Sequence, residues 1–423
     1  TIIHVLDGNK PVLTIPYFFH GIVQRYNRGS VAKFSIHKNS QKGFRTDSSL
    51  LRKLSGQRLI EFLTSYSKSL ENTAVEEFYS DFIIFFKEVA LNHTLYKDIY
   101  FELIELINTI SQKLRTTQFG EQRKCKKEIS DIVTKYLPTT LADFSAVSKT
   151  DEKKAFVTIE RLIEGIPYLV NDGVGGDKFN NIISSICNQC LVIRLKVRPK
   201  QEIPDYILSL AYAITKVGSK VKVWKEFIND TFKDEKKLAQ FESNELWGKI
   251  IYEWSQYPDN KGKILNELLL ITGSKKVGLT PALITFTSWN DSEVTIKCQN
   301  LKRIAFLVKI APEDTYLTDF QALVSCICQY LVAKDDKLKI RCWILLRVLL
   351  LKFSESHFNE YWGTIAYCLQ TNLQEFFECL QLQQNIDCDL LLQVCKTLDL
   401  LLAMNIEGFS ATNEWLFTID TIN

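Results

Sequence analysis

Histidine is the side chain that most readily trades protons near neutral pH, and this sequence of 423 residues holds five: His4, His20, His37, His93 and His357. None stands in a His-Glu-x-x-His pair that would hold zinc on one helix face, and no Gly-x-Ser-x-Gly elbow offers a nucleophile. Gly173-Val-Gly-Gly-Asp-Lys178 is glycine-rich, but it lacks the Gly-Lys-Ser/Thr ending that cradles phosphates and follows no strand pattern. It reads as an interhelical turn. Cys187-Asn-Gln-Cys190 has the spacing of half a zinc site, and Cys326 and Cys328 could bring two more thiolates. These cysteines sit among Ile and Leu in helical stretches, which suits small buried hydrophobes better than ligands converging on an ion. No acid, base or metal cluster can be assembled, so the expectation is a protein that is not an enzyme and uses no cofactor or metal.

Charge is the second chemical resource. The net charge of +3 hides an asymmetry: His20 to Arg58 carries nine Lys and Arg against Asp47, a net of +8, whereas Ser354 to Asn423 carries ten acids against Lys396, a net of −9. Opposed fields of this kind steer association without specifying a fold. The nine cations are Arg25, Arg28, Lys33, Lys38, Lys42, Arg45, Arg52, Lys53 and Arg58. One reading is an anionic membrane surface, to which each nearby cation contributes about 1 kcal/mol; the plainer reading is a solvated loop with scattered cations. No nucleic-acid motif accompanies the charge, so nucleic acid is not an expected partner. Arg123-Lys-Cys-Lys-Lys127 reads as an exposed helix face.

The elements that would carry these groups are helices. Gly and Pro number only 17 and 9, too few for a chain of many tight turns. Phe82, Phe85, Phe86, Val89 and Ala90 fall at i, i+3, i+4, i+7 and i+8, as do Leu103, Leu106, Ile107, Ile110 and Leu114 one element later. Ile182, Ile186, Cys190 and Ile193 repeat the pattern. Thr73 to Glu76 has the form of a capping box, and Asp177 stands where an N-cap belongs. The spacing predicts helices over 11–27, 48–71, 74–92, 95–114, 121–137, 151–170, 178–194, 203–217, 220–231, 235–256, 260–271, 292–310, 314–333, 337–353, 355–381, 387–405 and 411–421. Short connections make consecutive helices antiparallel neighbours. The expected fold is therefore all-α, an irregular α-solenoid of HEAT- or armadillo-like hairpins ending in a compact leucine-rich helical block. The expected parts are a solenoid over 1–271, a connecting segment over 272–291 and the block over 292–423.

No run of 18 uncharged apolar residues exists; Trp343 to Leu351, which carries Arg347, comes nearest and reads as a core helix. Eleven cysteines, an odd number, in apolar helices fit a reducing, cytosolic compartment. Beginning at Thr1 with one Met, at 404, the chain reads as a segment of something longer. Val324, Leu331, Leu338 and Leu345 share heptad spacing, but Lys334-Asp-Asp-Lys337 interrupts it, giving two core helices rather than one coiled coil. Ile344 to Leu351 and Leu390 to Leu402 are apolar nearly all round, so both demand cover on every side, from within the bundle or from another chain. Leu390, Leu391, Val394, Leu398, Leu401 and Leu402, with Trp415 and Phe417, are the candidate partner-binding residues.

Several phrases in the final third occur in a telling order. Leu301-Lys-Arg-Ile-Ala-Phe-Leu307 follows the polar lead-in Asn290 to Glu293. Ile340 to Lys352, with its Arg-Val-Leu-Leu-Leu-Lys ending, then Phe358 to Trp362, Cys395-Lys-Thr-Leu-Asp-Leu-Leu-Leu402 and Asn413-Glu-Trp-Leu-Phe417 complete the series. Over about 290–418 this resembles the C-terminal region of the Dopey family, large peripheral proteins of Golgi and endosomal trafficking. Tyr361-Trp362-Gly363 departs from the family's usual Trp-Pro, and Asn385 to Asp389 is short where relatives carry insertions. The resemblance implies a non-enzymatic scaffold on the cytoplasmic face of Golgi and endosome membranes. It implies, as partners, a large helical scaffold resembling Arf exchange factors and a type IV P-type ATPase flippase, with the leucine-rich helices available for self-association into a homodimer.

Overall fold

A computed structural model describes residues 11–27, 53–142, 149–170, 176–196, 203–273, 291–382 and 387–409. Among the described residues there is no strand, and the protein is all-α as expected. The chain divides into two compact units, Thr1–Lys233 and Asp234–Asn423. The predicted loop 28–47, the predicted helix 411–421 and nearly all of the predicted connecting segment 272–291 lie outside the described residues.

The first unit contains α1 (Pro11–Tyr26), α2 (Gly56–Ser69), α3 (Tyr79–Leu91), α4 (Tyr100–Arg115) and α5 (Arg123–Ala142). It continues through α6 (Lys149–Leu169), α7 (Asp177–Ile186), α8 (Asp205–Val217) and α9 (Lys222–Lys233). α1 packs equally on α2 and α3; beyond it the helices pack mainly on those two places away, α2 on α4, α4 on α6 and α6 on α8 forming one row, and α3 on α5, α5 on α7 and α7 on α9 a second. A row of this kind buries the apolar stripe of every member, which is what the i, i+3, i+4 spacing demands. Phe82, Phe85, Phe86 and Val89 are accordingly buried, with Phe85 stacked on Phe19 at 4.4 Å between ring centroids.

In the first row the surface is laced with charge. Lys154 of α6 reaches Glu102 of α4 at 2.6 Å and Glu61 of α2 at 3.0 Å, and Glu105 takes Lys68 and Arg161. Glu102 is buried, but the other groups are exposed or half-exposed, and exposed ion pairs contribute less than about 1 kcal/mol each, so the row is held by its buried leucines and isoleucines. Gly165 matters more: a Cβ there would stand 2.0 Å from Oδ1 of Asn108 on α4. Its absence lets α4 and α6 approach closely.

The second unit contains α10 (Glu235–Ser243), α11 (Glu245–Ser255), α12 (Lys263–Thr272), α13 (Asp291–Ile310), α14 (Phe320–Leu331), α15 (Asp336–Lys352), α16 (Trp362–Gln381) and α17 (Cys388–Met404). Here α12, α13, α15 and α17 form one row, and α14 packs on both α15 and α16.

Several predicted boundaries move for legible reasons. The helix expected over 235–256 is two helices, because Asn244 takes an extended backbone and its side chain accepts from Leu246 N at 2.9 Å, capping α11. Thr73 is no capping box: its backbone is helical and its side chain makes no cap bond, so only the turn Ala74–Glu77 precedes α3. Asp177 is the first residue of α7, with Gly176 in the cap position, where its charge faces the helix's positive end. The stretches expected as helix at 95–99 and 355–358 are tighter 3-10 turns, His93–Ile99 and Glu355–Phe358. The predicted start of α2 at 48 falls outside the described residues, and Ser55 caps the helix by accepting from Arg58 N at 3.2 Å.

Cys187-Asn-Gln-Cys190 lies in a π-helical turn, Cys187–Leu191, that extends α7. Both thiols are buried and free, and burial pushes that of Cys190 up to about 12. Among the described residues no three side chains are grouped to hold a metal ion, and no helix is long and apolar enough to cross a membrane.

A buried thiol with a raised pKa stays protonated while the unfolded chain's thiols ionise above about pH 8.5. The stability it contributes is whole below that value and is lost as pH climbs toward the folded pKa. The urea midpoint should therefore fall between pH 8.5 and 10.5. In Cys190→Ala the fall should be shallower, by up to about 1.4 kcal/mol per pH unit; equal slopes would remove Cys190 from the effect.

Candidate functional site

The C-terminal block is organised by α15, whose leucine-rich sequence leaves almost no side free for water. Leu338, Cys342, Trp343, Leu345, Leu346, Leu349 and Leu350 are all buried, under α13, α14 and α17. Asp335 starts the helix by accepting from Leu338 N at 3.1 Å. The heptad of the sequence is accordingly split between α14, which stops at Leu331, and α15, which starts at Asp336.

Three polar residues of α15 are fasteners. Lys339, nearly buried, donates to Glu375 of α16 at 3.1 Å, and Lys352 donates to the carbonyl of Ala311 at 2.6 Å. Arg347 holds α17: its guanidinium donates to the carbonyl of Gln393 at 2.8 Å, to Oγ1 of Thr397 at 3.0 Å and to the side-chain oxygen of Gln393. Burial lowers the pKa of this arginine, and the three acceptors replace the water it gives up. The Thr397 hydroxyl in turn donates to Gln393 O at 2.8 Å, so the fully buried threonine is satisfied.

With that contact fixed, the phase of α17 is fixed. At about 100° per residue, Leu390, Val394, Thr397 and Leu401 form one stripe, and all four are buried. On the opposite side stand Cys388, Leu392, Cys395, Asp399 and Leu402, all exposed, with Leu392 at 47% and Leu402 at 52%. The predicted ridge is thus divided. Leu390, Val394 and Leu401 are core residues unavailable to a partner, Leu391 and Leu398 are half-buried on the flank, and Leu402 faces outward. Trp415 and Phe417 lie outside the described residues. Leu392 is the residue the sequence reading missed; its signal is the spacing of Cys388, Leu392, Cys395 and Leu402 at i, i+4, i+7 and i+14.

Helix α16 has a comparable outer face, on which Tyr367, Phe377 and Leu380 are exposed. Its inner end is anchored by Trp362, stacked on Phe358 at 5.4 Å and met by Phe409 at 6.2 Å between ring centroids. Gly408 leaves room for the indole, since a Cβ there would lie 2.7 Å from Trp362 Nε1. The turn after α17 is thereby folded back on α16.

Of the nine cations of the basic stretch, Arg25, Lys53 and Arg58 are described and exposed or nearly so, and Arg25 donates to the carbonyl of Leu54 at 2.7 Å. Arg28, Lys33, Lys38, Lys42, Arg45 and Arg52 lie outside the described residues.

Comparison with known proteins agrees with the family resemblance carried by the final third of the sequence. A family model described as DOP1 C-terminal matches residues 62–423. The chain is 52% identical over 427 aligned residues to Protein DOP1 of Saccharomyces cerevisiae, covering all of this chain and 25% of that protein. It is 24% identical over 453 aligned residues to Protein dop1 of Emericella nidulans, covering all of this chain and 23% of that one. The chain therefore spans about a quarter of the length of these curated relatives. No solved structure matches it.

Hydrogen bonds to a charged group contribute about 1.5–3 kcal/mol, and removing Arg347 also strands the Gln393 side chain. Arg347→Met should lower stability by an amount of that order and speed amide exchange across α17, with exchange across α4 unchanged. Uniform acceleration in both helices would mean that Arg347 supports the whole fold and does not fasten α17.

Proposed function

This chain belongs to the DOP1 (Dopey) family, and from that premise we propose that it is a non-enzymatic scaffold segment that holds other proteins during membrane trafficking between endosomes and the Golgi. The observation that carries the reading is the outward stripe of α17, in which Leu392 and Leu402 stand in water on a helix whose other side is fastened. Leucine exposed at two points one face apart is unremarkable singly, but here it is flanked by half-buried Leu391 and Leu398 and ends at exposed Met404. A few such anchors dominate the energy of a standard interface.

The alternate-row packing of both units supports reading each as an irregular α-solenoid of HEAT- or armadillo-like hairpins, a form that offers long surfaces to partners. Under this proposal the block over 292–423 is the associating part. Its occupants are a second copy of the chain, a large scaffold resembling Arf exchange factors, or a type IV P-type ATPase flippase, met on the cytoplasmic face of Golgi and endosome membranes. The proposal carries no catalytic role.

A second reading rests on the charge of residues 20–58, nine cations against one carboxylate: peripheral attachment to anionic lipid. Binding to vesicles containing phosphatidylserine should then weaken steeply as salt rises from 50 to 300 mM, because the Debye length shrinks. Binding indifferent to salt would eliminate it.

The first reading separates from internal packing by mutation. Changing Leu392 and Leu402 together to Asp should abolish self-association or partner capture in light scattering while helical circular dichroism persists. Changing Leu390 and Leu401 to Asp should instead unfold α17, since both are core residues. If Leu392 and Leu402 variants associate like the parent chain, the outer face of α17 is not the interface.

A further inference from the structure

A cleft of about 370 Å³ opens in the second unit between α10, α13, α15 and the first turn of α17. Its floor is apolar, with Leu238 and Val294 both buried. Its walls carry four cations, Lys302 and Arg303 from α13 and Lys337 and Arg341 from α15, against two carboxylates, Glu235 and Asp389. Lys337 and Arg341 are four residues apart, so they stand one above the other on a single helix face.

Arg303 is buried and donates to Oδ1 of Asn300 at 3.2 Å, so the cations open to a ligand are the other three. Glu235 already accepts from Gln299 at 2.6 Å, and Lys302 reaches Glu242 only at 4.0 Å. Among the described residues neither Lys337 nor Arg341 forms an ion pair with a carboxylate. Nothing in the fold requires charge at these two positions, because α15 is already fastened through Lys339, Arg347 and Lys352. Like charges gathered on a concave wall with an apolar floor focus the field and attract anions.

The distribution distinguishes between anions. The four cations come from two helices of one row, and neighbouring helix axes stand about 8–10 Å apart. Lys337 and Arg341 stand one turn apart along α15, so two carboxylates of an extended segment can meet them in succession. Glu235 and Asp389 at the wall disfavour a dense dianion, whereas Arg341 offers a fork that matches a carboxylate. The apolar floor offers a seat to a side chain between two such carboxylates.

We propose that this cleft docks an extended acidic peptide segment of a partner protein, with carboxylates on Lys337 and Arg341 and an apolar side chain over Leu238 and Val294. This rests on reading the chain as a protein-binding scaffold and names the chemistry of one partner; it does not involve the outer face of α17.

The test is fluorescence anisotropy of a labelled peptide of alternating Glu and Leu, titrated with the whole chain. Binding should saturate and weaken at least tenfold between 50 and 300 mM salt. The double variant Lys337→Glu, Arg341→Glu should lose at least tenfold in affinity. A charge-matched control, Lys263→Glu with Lys309→Glu, changes two exposed lysines away from the cleft lining and should stay within twofold of the parent. If the Glu pair disturbs helical circular dichroism, Lys337→Gln with Arg341→Gln replaces it, with the same loss expected. Equal affinity in the cleft variant, or an equal loss in the control, overturns the proposal. So does a cleft that ignores the peptide yet binds phosphatidylserine vesicles or inorganic phosphate. A failed cleft in a chain that still associates through Leu392 and Leu402 rejects the cleft alone; failure of both rejects the scaffold reading.

Discussion

A helix with leucine, tryptophan or cysteine on nearly every side can exist in water only if other helices surround it, and α15 is that helix. Its cover comes from α13 and α17 in its own row and from α14 beside it. Three of the polar groups it carries, Lys339, Arg347 and Lys352, face acceptors on its neighbours, so they orient what the leucines merely attract. Arg347 is the sharpest case, because a guanidinium taken out of water must find acceptors, and those it finds are Gln393 and Thr397 of α17. The rotation of α17 about its axis follows from that one contact. So does the division between the stripe it buries and the stripe it leaves open.

The first unit obeys the same covering rule with less severity. Its helices are amphipathic in the ordinary way, each presenting one apolar stripe to a row neighbour and a charged face to solvent. The ladder of Glu61, Lys154, Glu105 and Arg161 runs along that solvent face, with Lys154 also reaching in to buried Glu102. Lys154 lowers the pKa of Glu61, a sign of favourable contact, yet such exposed pairs bias register more than they stabilise. The close approach allowed by Gly165 beside Asn108 is a steric permission that no amount of surface charge could replace.

Much of this was legible in residue spacing. The apolar period marks α3 and α4 through Phe82, Phe85, Phe86, Leu103 and Leu106, all buried, because a single stripe has one solution. The same logic fails for α17. Where leucine occurs at 390, 391, 392, 398, 400, 401 and 402, composition gives no phase, and the phase is set by Arg347, 46 residues away from Gln393 in sequence. Local chemistry misled at Thr73, whose capping-box pattern is real in sequence but whose backbone is already helical. At Asn244 it is hidden, because a side-chain cap divides one apparently continuous amphipathic run. The cleft between α13 and α15 was invisible for a different reason: its cations come from segments 35 residues apart, and only the row brings them to one wall.

The orientation of α17 is open to direct measurement through its own cysteines. Cys388 and Cys395 belong to the outer stripe, whereas Cys342 of α15 is buried beneath the block. Brief maleimide labelling of the folded chain at low concentration, read residue by residue by mass spectrometry, should modify Cys388 and Cys395 and spare Cys342 until denaturant is added. Protection of Cys395 in the dilute monomer, or labelling of Cys342 at the same rate, would contradict this orientation and with it the outward face on which the proposed association depends.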